Sequence, residues 1–435
     1  ESLESIGTRS GVLRLHEEKY RFTPTIGADG FTRDDWREVI INPIELLNSF
    51  TKQMAREASG IASAGPSAVI AGLGALGSAM QLIWARLGWG EWVLVDPDVL
   101  NPHNLARHIG FETHIGSFKV DVVRNLQKNI FTANEEQPPT IHLSAAEFEC
   151  EAVKEALINA DLVVDATTTL EIPRELANKN SVARVISVFI TPSGHDAVLI
   201  AEDAARNFRS DLLEAQYYRS VIGSSWGKEH LCGHLGHLWV GAGCRDSSLV
   251  ISNDLVQMQA ALLARQVRLV SMQPYAVINI WRCDPGNGEV VLSSINTYPT
   301  ETMPLGDYTL VWDEEVKLKL RHIRTEHLPN ETGGILLGYY DHILSKVYVV
   351  DACSAPSDSL ETESGFIRGK DGLDKLLAEV LQRTANIVGY IGEWHSHPVD
   401  ARTTPSAEDL VLLAYLTKKL EQDGLPALML IVGEG

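Results

Sequence analysis

The stretch SAVIAGLGALGSAMQLIWARLG, residues 67–88, joins a strand-like apolar run to a helix-like apolar run through a turn rich in glycine. Three of its glycines, Gly72, Gly74 and Gly77, have the spacing G-x-G-x-x-G. Glycines let a backbone approach a phosphate closely, and the start of a helix supplies N–H groups and partial positive charge. The stretch therefore predicts a nucleotide-binding unit. It does not identify the nucleotide, because folds that bind NAD, FAD, S-adenosylmethionine and ATP share this spacing.

Further strand-like runs follow the glycine turn, separated by helical segments: EWVLVDPD (91–98), ADLVVDATTT (160–169) and ARVISVFI (183–190). Alternating strands and helices are typical of a parallel, doubly wound sheet. The predicted fold class is therefore α/β, with a Rossmann-like domain first.

A second, smaller domain is predicted after residue 306. The polar stretch 293–307 contains two prolines and indicates a linker. After it, a helical run, hairpin-like strands, another helix and a last strand describe a compact α+β domain. We place the boundaries at 1–55 (helix and loop), 56–295 (Rossmann-like domain), 296–306 (linker) and 307–435 (α+β domain).

Bulk properties narrow the class of protein. The chain has 435 residues, enough for two to three domains, and a formal net charge of −20. Broad electrostatic binding to nucleic acid or anionic lipid is therefore not expected. No apolar run approaches the ~18–20 residues of a membrane span, and no signal pattern opens the chain, so a cytoplasmic location is expected. Five cysteines without a C-x-x-C pair indicate neither a disulfide framework nor a four-cysteine zinc site.

Polar side chains suited to a nucleotide follow the glycine turn: Asp96, Asp98, Asn104, Arg107, Lys119 and Asp165. A carboxylate that ends the next strand suits a ribose hydroxyl in any dinucleotide-type fold. Hydride transfer to nicotinamide needs no Asn, Arg and Lys at the phosphate end. Attack of a carboxylate on ATP does need such side chains, because the reaction builds negative charge that cations and Mg²⁺ must offset. Adenylation is therefore favoured over a dinucleotide fold or a degenerate scaffold.

These residues resemble the ThiF/MoeB family, which includes the ubiquitin-activating enzymes, over about residues 65–270. The resemblance implies Mg-ATP-dependent adenylation of the C-terminal carboxylate of a ubiquitin-like protein. It implies that Gly72, Gly74 and Gly77 line the phosphates, Asp96 holds the ribose, Asn104, Arg107 and Lys119 contact the phosphates, and Asp165 holds Mg²⁺. The chain departs from the family in reading Asp165-Ala-Thr-Thr-Thr, without a second acidic residue, and in lacking the structural zinc cysteines of many members.

Conjugating members of that family pass the adenylate to a cysteine. Cys244 follows glycines, lies beside Arg245 and precedes the helix expected at 252–268, where some bacterial members place theirs. Cys232 is the alternative candidate. A third interpretation is that the chain has no thioester cysteine, since many cysteines are buried and inert. His230, His234 and His237 near Cys232 are interpreted as loop or core histidines and not as a metal cluster.

The stretch GEWHSHPVDARTTPSAEDL, residues 392–410, carries a second constellation. His395 and His397 project to one face of a strand, because side chains alternate with period two. Two imidazoles suit Zn²⁺, and Asp409 offers a third ligand, which leaves a fourth position for water. Ser406 and Asp409 also fit a helix-capping box, and both interpretations can hold at once. A hydrolytic site needs a base, for which Glu331, expected to begin a strand, is the candidate.

This set resembles the JAB/MPN metalloprotease family, which includes zinc deubiquitinating enzymes, over about 307–435. The resemblance implies that His395, His397 and Asp409 bind zinc, that Glu331 is the general base, and that Ser406 stabilises the oxyanion. The spacing between His397 and Ser406 is one residue longer than is common in eukaryotic members, which bears on the role of Ser406. A metal-free relative is the alternative.

Both resemblances imply one partner, the extended C-terminal tail of a ubiquitin-like (β-grasp) protein. We expect a bacterial conjugation protein that fuses an activating enzyme to a deconjugating or precursor-trimming protease, of a kind sometimes linked to antiphage defence. A conjugating enzyme is an expected partner, as is a second copy of the chain, because ThiF-type proteins are typically homodimers with an arginine donated across the interface, for which Arg56 is a candidate. The alternatives are sulfur-carrier activation without a thioester and a non-catalytic scaffold.

Overall fold

The structure, a computed structural model, describes residues 3–9, 13–22, 50–132, 135–232, 237–239 and 247–434. The chain divides into two compact units, Glu1–Ser49 and Phe50–Gly435. No helix in these described ranges is long and apolar enough to pass through a lipid bilayer.

The first unit contains helix α1 (Leu3–Arg9) and an antiparallel hairpin of β1 (Leu13–His16) and β2 (Lys19–Phe22). The helix and loop expected over 1–55 omitted this hairpin. Its turn residues, Glu17 and Glu18, both have positive φ, at 53° and 61°. Asn and Gly are the usual signals of such a turn, and neither is present here, so the turn could not be predicted from local sequence.

The second unit contains an eight-stranded sheet with the order β12-β11-β8-β7-β6-β3-β4-β5. Its strands are β3 (Ser67–Ala71), β4 (Glu91–Val95), β5 (Thr140–Ile141), β6 (Leu162–Asp165), β7 (Arg184–Ile190), β8 (Asp196–Ala201), β11 (Val277–Cys283) and β12 (Val290–Ile295). Strands β3 to β7 pair in parallel, and β8, β11 and β12 continue the sheet antiparallel. A short antiparallel pair, β9 (His237–Trp239) and β10 (Ser247–Leu249), lies outside it.

Helices connect the parallel strands of this sheet, as the alternating sequence pattern predicts. The connecting helices are α3 (Ala75–Leu87), α4 (Lys119–Lys128), α5 (Glu151–Asn159) and α6 (Glu171–Asn178), while α2 (Lys52–Ala58) precedes β3, and α7 (Ser210–Gly223) and α8 (Asn253–Val270) follow β8. The predicted α/β class with a doubly wound sheet is confirmed. Because β3 lies between β4 and β6, its carboxyl end is a point where the strand order reverses, which is where such sheets bind ligands.

A six-stranded mixed sheet follows, with the order β13-β14-β16-β15-β19-β20. Its strands are β13 (Thr300–Leu305), β14 (Tyr308–Asp313), β15 (Gly333–Asp341), β16 (Lys346–Ala352), β19 (Gly389–Ser396) and β20 (Leu428–Val432). A separate hairpin is formed by β17 (Leu360–Thr362) and β18 (Gly365–Ile367). The helices are α9 (Glu314–His327), α10 (Leu373–Arg383) and α11 (Ala407–Leu420). This is the smaller α+β part that the sequence predicts.

The segment 296–306, expected to be a linker, differs from that expectation. Most of it is strand β13, which pairs antiparallel with β14 and forms an edge of the second sheet. Pro304 lies in this strand, opposite Thr309. Proline is tolerated at a sheet edge because its missing N–H need not be paired there, so the prolines did not exclude a strand.

One apolar core joins the two sheets. Helix α7 packs on β16, and the buried residues of this shared core come from both halves of the unit. From the first half they include Val198, Ile200, Leu213, Tyr217, Val221 and Ile280, and from the second Val311, Ile335, Leu337, Tyr348, Val350 and Val388. Because packed interiors resist deformation, a continuous core fixes the two sheets relative to each other.

Buried polar contacts reinforce the shared core. The Asp211 carboxylate of α7 accepts hydrogen bonds from Lys346 Nζ at 2.7 Å and from the Tyr348 hydroxyl at 2.6 Å. Arg219, also on α7, pairs with Asp313 at 2.7 Å. Removing one partner of such a buried pair leaves an unpaired charge, so these contacts favour one relative position of the two halves.

The shared core predicts that a defect in α7 reaches the second sheet. Leu213→Ala should cost about 2–5 kcal/mol, because it leaves a cavity at a fully buried site. Native-state hydrogen exchange should then quicken in β15 and β16 as well as in β8.

The matched control is Leu157→Ala, an equally buried leucine in a separate core of the first sheet. It should quicken exchange in the first sheet alone. If Leu213→Ala leaves exchange in β15 and β16 unchanged, the two halves do not share a cooperative core.

Candidate active sites

The glycine turn follows β3 and is tightly packed. Gly72 has φ +90°, in the region that favours glycine, and its N–H donates to the Val95 carbonyl at 2.9 Å. A Cβ on Gly72 would lie 2.7 Å from the backbone of Ala166, and a Cβ on Gly77 would lie 1.9 Å from the Gly72 carbonyl oxygen. These two glycines are therefore required by the close approach of the turn to its neighbours.

Gly74 has a different environment. It is the N-cap of α3, and a Cβ there would meet nothing within 4 Å. Among the described residues, no side chain caps the first turn of α3, which begins at the carboxyl edge of the sheet. The start of α3 thus has the geometry of an anion site.

Two carboxylates border the turn. Asp96 accepts hydrogen bonds from the N–H groups of Leu73 at 2.6 Å and Asp98 at 2.8 Å. Burial raises the pKa of Asp96, and the charge of Lys119 opposes that rise. Lys119 itself pairs with Asp98 at 2.7 Å. The structure therefore brings a cation and two carboxylates together beside the glycine turn.

Asp165 ends β6, the strand on the other side of β3. Its carboxylate accepts from the Thr167 hydroxyl at 2.6 Å and from the Thr167 N–H at 3.1 Å, and burial raises its pKa. Asp165 pairs in register with Ala71, the last residue of β3. A carboxylate at this point faces the same edge of the sheet as the glycine turn, as a Mg²⁺ ligand would have to.

His108 is hydrogen-bonded to the glycine turn at Leu73, a contact that was not predicted from the sequence. Its Nδ1 accepts from the Gly110 N–H at 2.9 Å, so Nε2 carries the proton and donates to the Leu73 carbonyl at 3.0 Å. Burial lowers the pKa of His108 to about 4, which keeps the ring neutral. The contact spans 35 residues, and no local pattern signals it.

Asn104 and Arg107 lie in or beside a 3₁₀ turn, Pro102–Ala106. Asn104 Oδ1 accepts from the Asn101 N–H at 2.9 Å, and Arg107 Nη1 donates to the Ile251 carbonyl at 3.2 Å. These contacts hold Asn104 within its own turn and bring Arg107 near the start of α8. Their predicted contact with phosphate stays a prediction.

The candidate arginine for a dimer interface lies elsewhere. Arg56 donates to the Gly88 carbonyl at 2.8 Å, at the far end of α3, about 20 Å from the glycine turn by helix rise. Within one chain it does not reach the nucleotide site, and its proposed role requires a second copy.

Cys244, the candidate thioester cysteine, lies outside the described residues, as does His234. Cys232 is half-buried, with Sγ 3.2 Å from the Lys228 carbonyl oxygen. His230 contacts Asp196 at 2.6 Å through Nδ1 and the Tyr217 hydroxyl at 2.8 Å through Nε2. Both of its ring nitrogens are occupied, which agrees with its interpretation as a core histidine.

The second constellation lies at the end of β19. The Nε2 atoms of His395 and His397 are 3.2 Å apart, and His395 Nε2 is 3.4 Å from Asp409 Oδ1. One ligand atom from each of the three residues lies within 4.8 Å of the other two. Among the described residues, this is the one group of three His, Cys, Asp or Glu side chains with such geometry. The donor set of two imidazoles and a carboxylate fits Zn²⁺.

Helix capping orients the third ligand. Ser406 Oγ accepts from the Asp409 N–H at 3.1 Å, and Asp409 Oδ2 accepts from the Ser406 N–H at 2.7 Å, so the predicted capping box is confirmed. The other oxygen, Oδ1, faces the imidazoles. Although burial alone would raise it, the pKa of Asp409 is lowered because Ser406 and the two histidines favour the carboxylate.

The imidazoles are held in ligand form. His397 Nδ1 donates to the Arg402 carbonyl at 2.6 Å, which directs Nε2 toward His395, and Arg324 Nε donates to the His397 carbonyl at 2.8 Å. Burial lowers the pKa of His395, which keeps that ring neutral. Neutral rings and an ionised carboxylate are the states that bind a metal.

Glu331 lies two residues before β15, which begins at Gly333 and not at Glu331 as expected. Burial raises its pKa, as does the charge of Asp409, while His397 opposes the rise. The next residue, Thr332, is hydrogen-bonded to Ser396 between the two histidines, so Glu331 lies near the candidate metal ligands. A carboxyl of raised pKa suits a general base and acid.

The glycine turn predicts a pair of opposite phenotypes. Gly77→Ala should destabilise the protein by about 1–3 kcal/mol, because its methyl would overlap the Gly72 carbonyl. Gly74→Ala should leave the melting temperature near that of the wild type, yet weaken ATP binding, because its methyl enters the open space before α3. Thermal melts and calorimetric titration with Mg-ATP measure the two effects. Unchanged ATP affinity in Gly74→Ala would contradict a phosphate site at this turn.

Two protein families match separate parts of the chain. Residues 61–191 match the ThiF family, and residues 313–435 match the prokaryotic homologs of the JAB domain. The chain is thus a fusion of a ThiF domain with a JAB domain, and both resemblances seen in the sequence are confirmed.

Individual proteins match the chain over part of its length and at low to moderate sequence identity. A curated relative from Enterobacter hormaechei subsp. hoffmannii (strain UCI 50), named CD-NTase/cGAS isopeptidase, is 36% identical over 104 residues, which is 24% of this chain and 56% of the relative. A crystal structure of E. coli MccB with AMPCPP and MccA is 17% identical with a TM-score of 0.36, covering 53% of this chain and 63% of that one. A crystal structure of PaaA is 15% identical with a TM-score of 0.36, covering 56% and 66%. The chain thus spans little more than half of the curated relative.

Proposed function

We propose that the chain is a bifunctional enzyme of a ubiquitin-like pathway. The ThiF domain would use Mg-ATP to adenylate the C-terminal carboxylate of a ubiquitin-like protein. The JAB domain would hydrolyse, with zinc, a peptide or isopeptide bond to the same carboxylate. The observation that carries the proposal is the group His395, His397 and Asp409, with ligand atoms within 4.8 Å of one another.

The adenylating half is supported by the edge of the first sheet. The N–H groups at the start of α3, which no described side chain caps, suit the phosphates, Asp96 suits the ribose, and Asp165 suits Mg²⁺. Lys119, paired with Asp98, can exchange that partner for a phosphate oxygen and offset charge that develops on the transferred group. Asn104 and Arg107 are proposed to contact the phosphates from the neighbouring 3₁₀ turn.

The hydrolytic half is supported by the chemistry of its side chains. Zn²⁺, when bound, lowers the pKa of a water and polarises a carbonyl. Glu331 is proposed to accept the proton of that water and return it to the leaving amine, for which a carboxyl of raised pKa is suited. The Ser406 hydroxyl accepts a hydrogen bond within the capping box, so its own proton is available to a developing oxyanion.

The substrate is proposed to be the glycine-rich tail of a ubiquitin-like protein, because residues without Cβ pass most easily through narrow channels. The name isopeptidase of the curated relative supports hydrolysis of a side-chain amide by the JAB half. A conjugating enzyme would receive the activated tail, and two copies of the chain would form the active assembly. Cys244 is proposed to hold the tail as a thioester between the two.

Removing a zinc ligand should remove the metal. His395→Ala and Asp409→Asn should each abolish stoichiometric zinc, measured by elemental mass spectrometry of the purified protein, where the wild type holds about one ion per chain. His322→Ala is the control, because that ring is exposed on α9. Zinc retained in both ligand variants would place the metal elsewhere and end the hydrolytic proposal.

Replacing Cys244 separates conjugation from sulfur-carrier chemistry. Cys244→Ala should retain ATP–pyrophosphate exchange with the ubiquitin-like protein but lose the thiol-sensitive adduct seen on non-reducing gels, because the thiolate is the acceptor. Cys232→Ala should retain both. An adduct in Cys244→Ala and none in Cys232→Ala would move the role to Cys232, and no adduct in the wild type would favour a sulfur carrier.

A further inference from the structure

Thr332, the residue after Glu331, is fully buried and uses all of its polar groups. Its N–H donates to Ser396 Oγ at 3.0 Å, its carbonyl accepts from the Ser396 N–H at 2.7 Å, and its hydroxyl donates to Glu361 Oε1 at 2.6 Å. Ser396 is also fully buried and lies between His395 and His397. The residue beside the candidate base is therefore bonded directly to the residue between two candidate metal ligands.

This contact extends the pairing of two strands beyond its regular end. The ladder between β15 and β19 has Gly333 opposite His395 at its end, and the Thr332–Ser396 pair adds one more position through a side-chain hydroxyl. A regular ladder would need no hydroxyl there. The consequence is a fixed offset between Glu331, which lies just before β15, and the imidazoles at the end of β19.

The hairpin of β17 and β18 holds Glu331 from the other side. The Glu331 N–H donates to the Thr362 carbonyl at 2.8 Å, and Glu361 lies 3.9 Å from His327 Nε2 at the end of α9. A Cβ on Gly333 would lie 2.4 Å from the Phe366 ring, so the hairpin packs closely against the start of β15. The peptide groups on both sides of Glu331 are thus fixed, and its side-chain torsions alone remain free.

We propose that Thr332 is a positioning residue for hydrolysis, acting through Ser396 and Glu361 to hold the Glu331 carboxylate opposite the zinc ligands. The inference rests on the proposed hydrolytic function of the JAB half. Proton transfer requires heavy atoms about 2.6–3.2 Å apart. A displacement of about 1 Å lowers rates by up to about a hundredfold, so loss of this hold should affect turnover more than binding.

The chain offers a matched control in the same domain. Thr384 is also fully buried, and its hydroxyl donates to the Val380 carbonyl at 2.8 Å and accepts from the Val388 N–H at 3.1 Å, at the end of α10. Thr332→Val and Thr384→Val each replace a buried, bonded hydroxyl by a methyl. Thr332→Ser restores the hydroxyl.

The first experiment measures zinc content, melting temperature and steady-state cleavage of a probe, a peptide ending in Gly-Gly joined to 7-amino-4-methylcoumarin. Thr332→Val should keep zinc and melt like Thr384→Val, but its kcat should fall between about tenfold and about a hundredfold with little change in KM. Thr332→Ser should recover most of kcat, and Thr384→Val should retain it.

A second experiment needs no turnover. Co²⁺ substituted for zinc gives visible bands that report the geometry around the ion. Thr332→Val should shift these bands in the direction given by Glu331→Gln, and Thr384→Val should leave them unchanged.

The outcomes separate this inference from the proposed function. Wild-type kcat or wild-type Co²⁺ bands in Thr332→Val would overturn the positioning role alone. Loss of zinc, or a far lower melting temperature than that of Thr384→Val, would overturn it in favour of a purely structural role. A zinc-loaded wild type that does not cleave the probe would count against the hydrolytic proposal, while the Co²⁺ bands would still decide the position of Glu331.

Discussion

The packing of α7 between the two sheets is the constraint on which the rest of the structure depends. Its buried face supplies Leu213, Tyr217 and Val221 to a core that continues into β15 and β16. Its polar residues Asp211 and Arg219 are bonded to the second half. The ThiF domain and the JAB domain share this core, which holds their two sites at a fixed relative position. A tethered pair of domains would have had no such requirement.

Both sites are built at strand ends, and in each the helix that follows supplies the missing part. At the first site, β3 is followed by glycines that permit close packing, and α3 begins without a side-chain cap from the described residues, with open space beside Gly74. At the second, β19 delivers two imidazoles, and α11 begins with a capping box that turns one Asp409 oxygen toward them. The same residues thus form the local backbone hydrogen bonds and the site. Substitutions there are expected to affect both.

Burial sets the ionisation of the groups that matter. It keeps His395 and His108 neutral and raises the pKa of Glu331. Asp409 escapes the same effect because its hydrogen bonds to Ser406 and the nearby imidazoles outweigh burial. Asp409 therefore favours the charged form that suits a metal ligand, whereas Glu331 gains a proton more readily, which suits a general base.

Much of this could be read from the sequence, where a site depends on local spacing. The period of two that aligns His395 with His397, the capping box of Ser406 and the G-x-G-x-x-G turn are all short-range patterns. The contacts of His108 with Leu73 and of Thr332 with Ser396 could not be predicted, because they join residues far apart in the chain. The same holds for the core shared through α7. The prediction of a linker over 296–306 was wrong because a strand at a sheet edge tolerates proline.

The most direct test of the account is a crystal structure of the full chain grown with zinc and a non-hydrolysable ATP analogue, with anomalous data collected at the zinc edge. We expect an anomalous peak within about 2.0–2.2 Å of His395, His397 and Asp409 and a triphosphate over the start of α3, both in a single molecule. A zinc peak away from these three side chains, or a nucleotide bound elsewhere, would contradict the claim that one chain carries both chemistries.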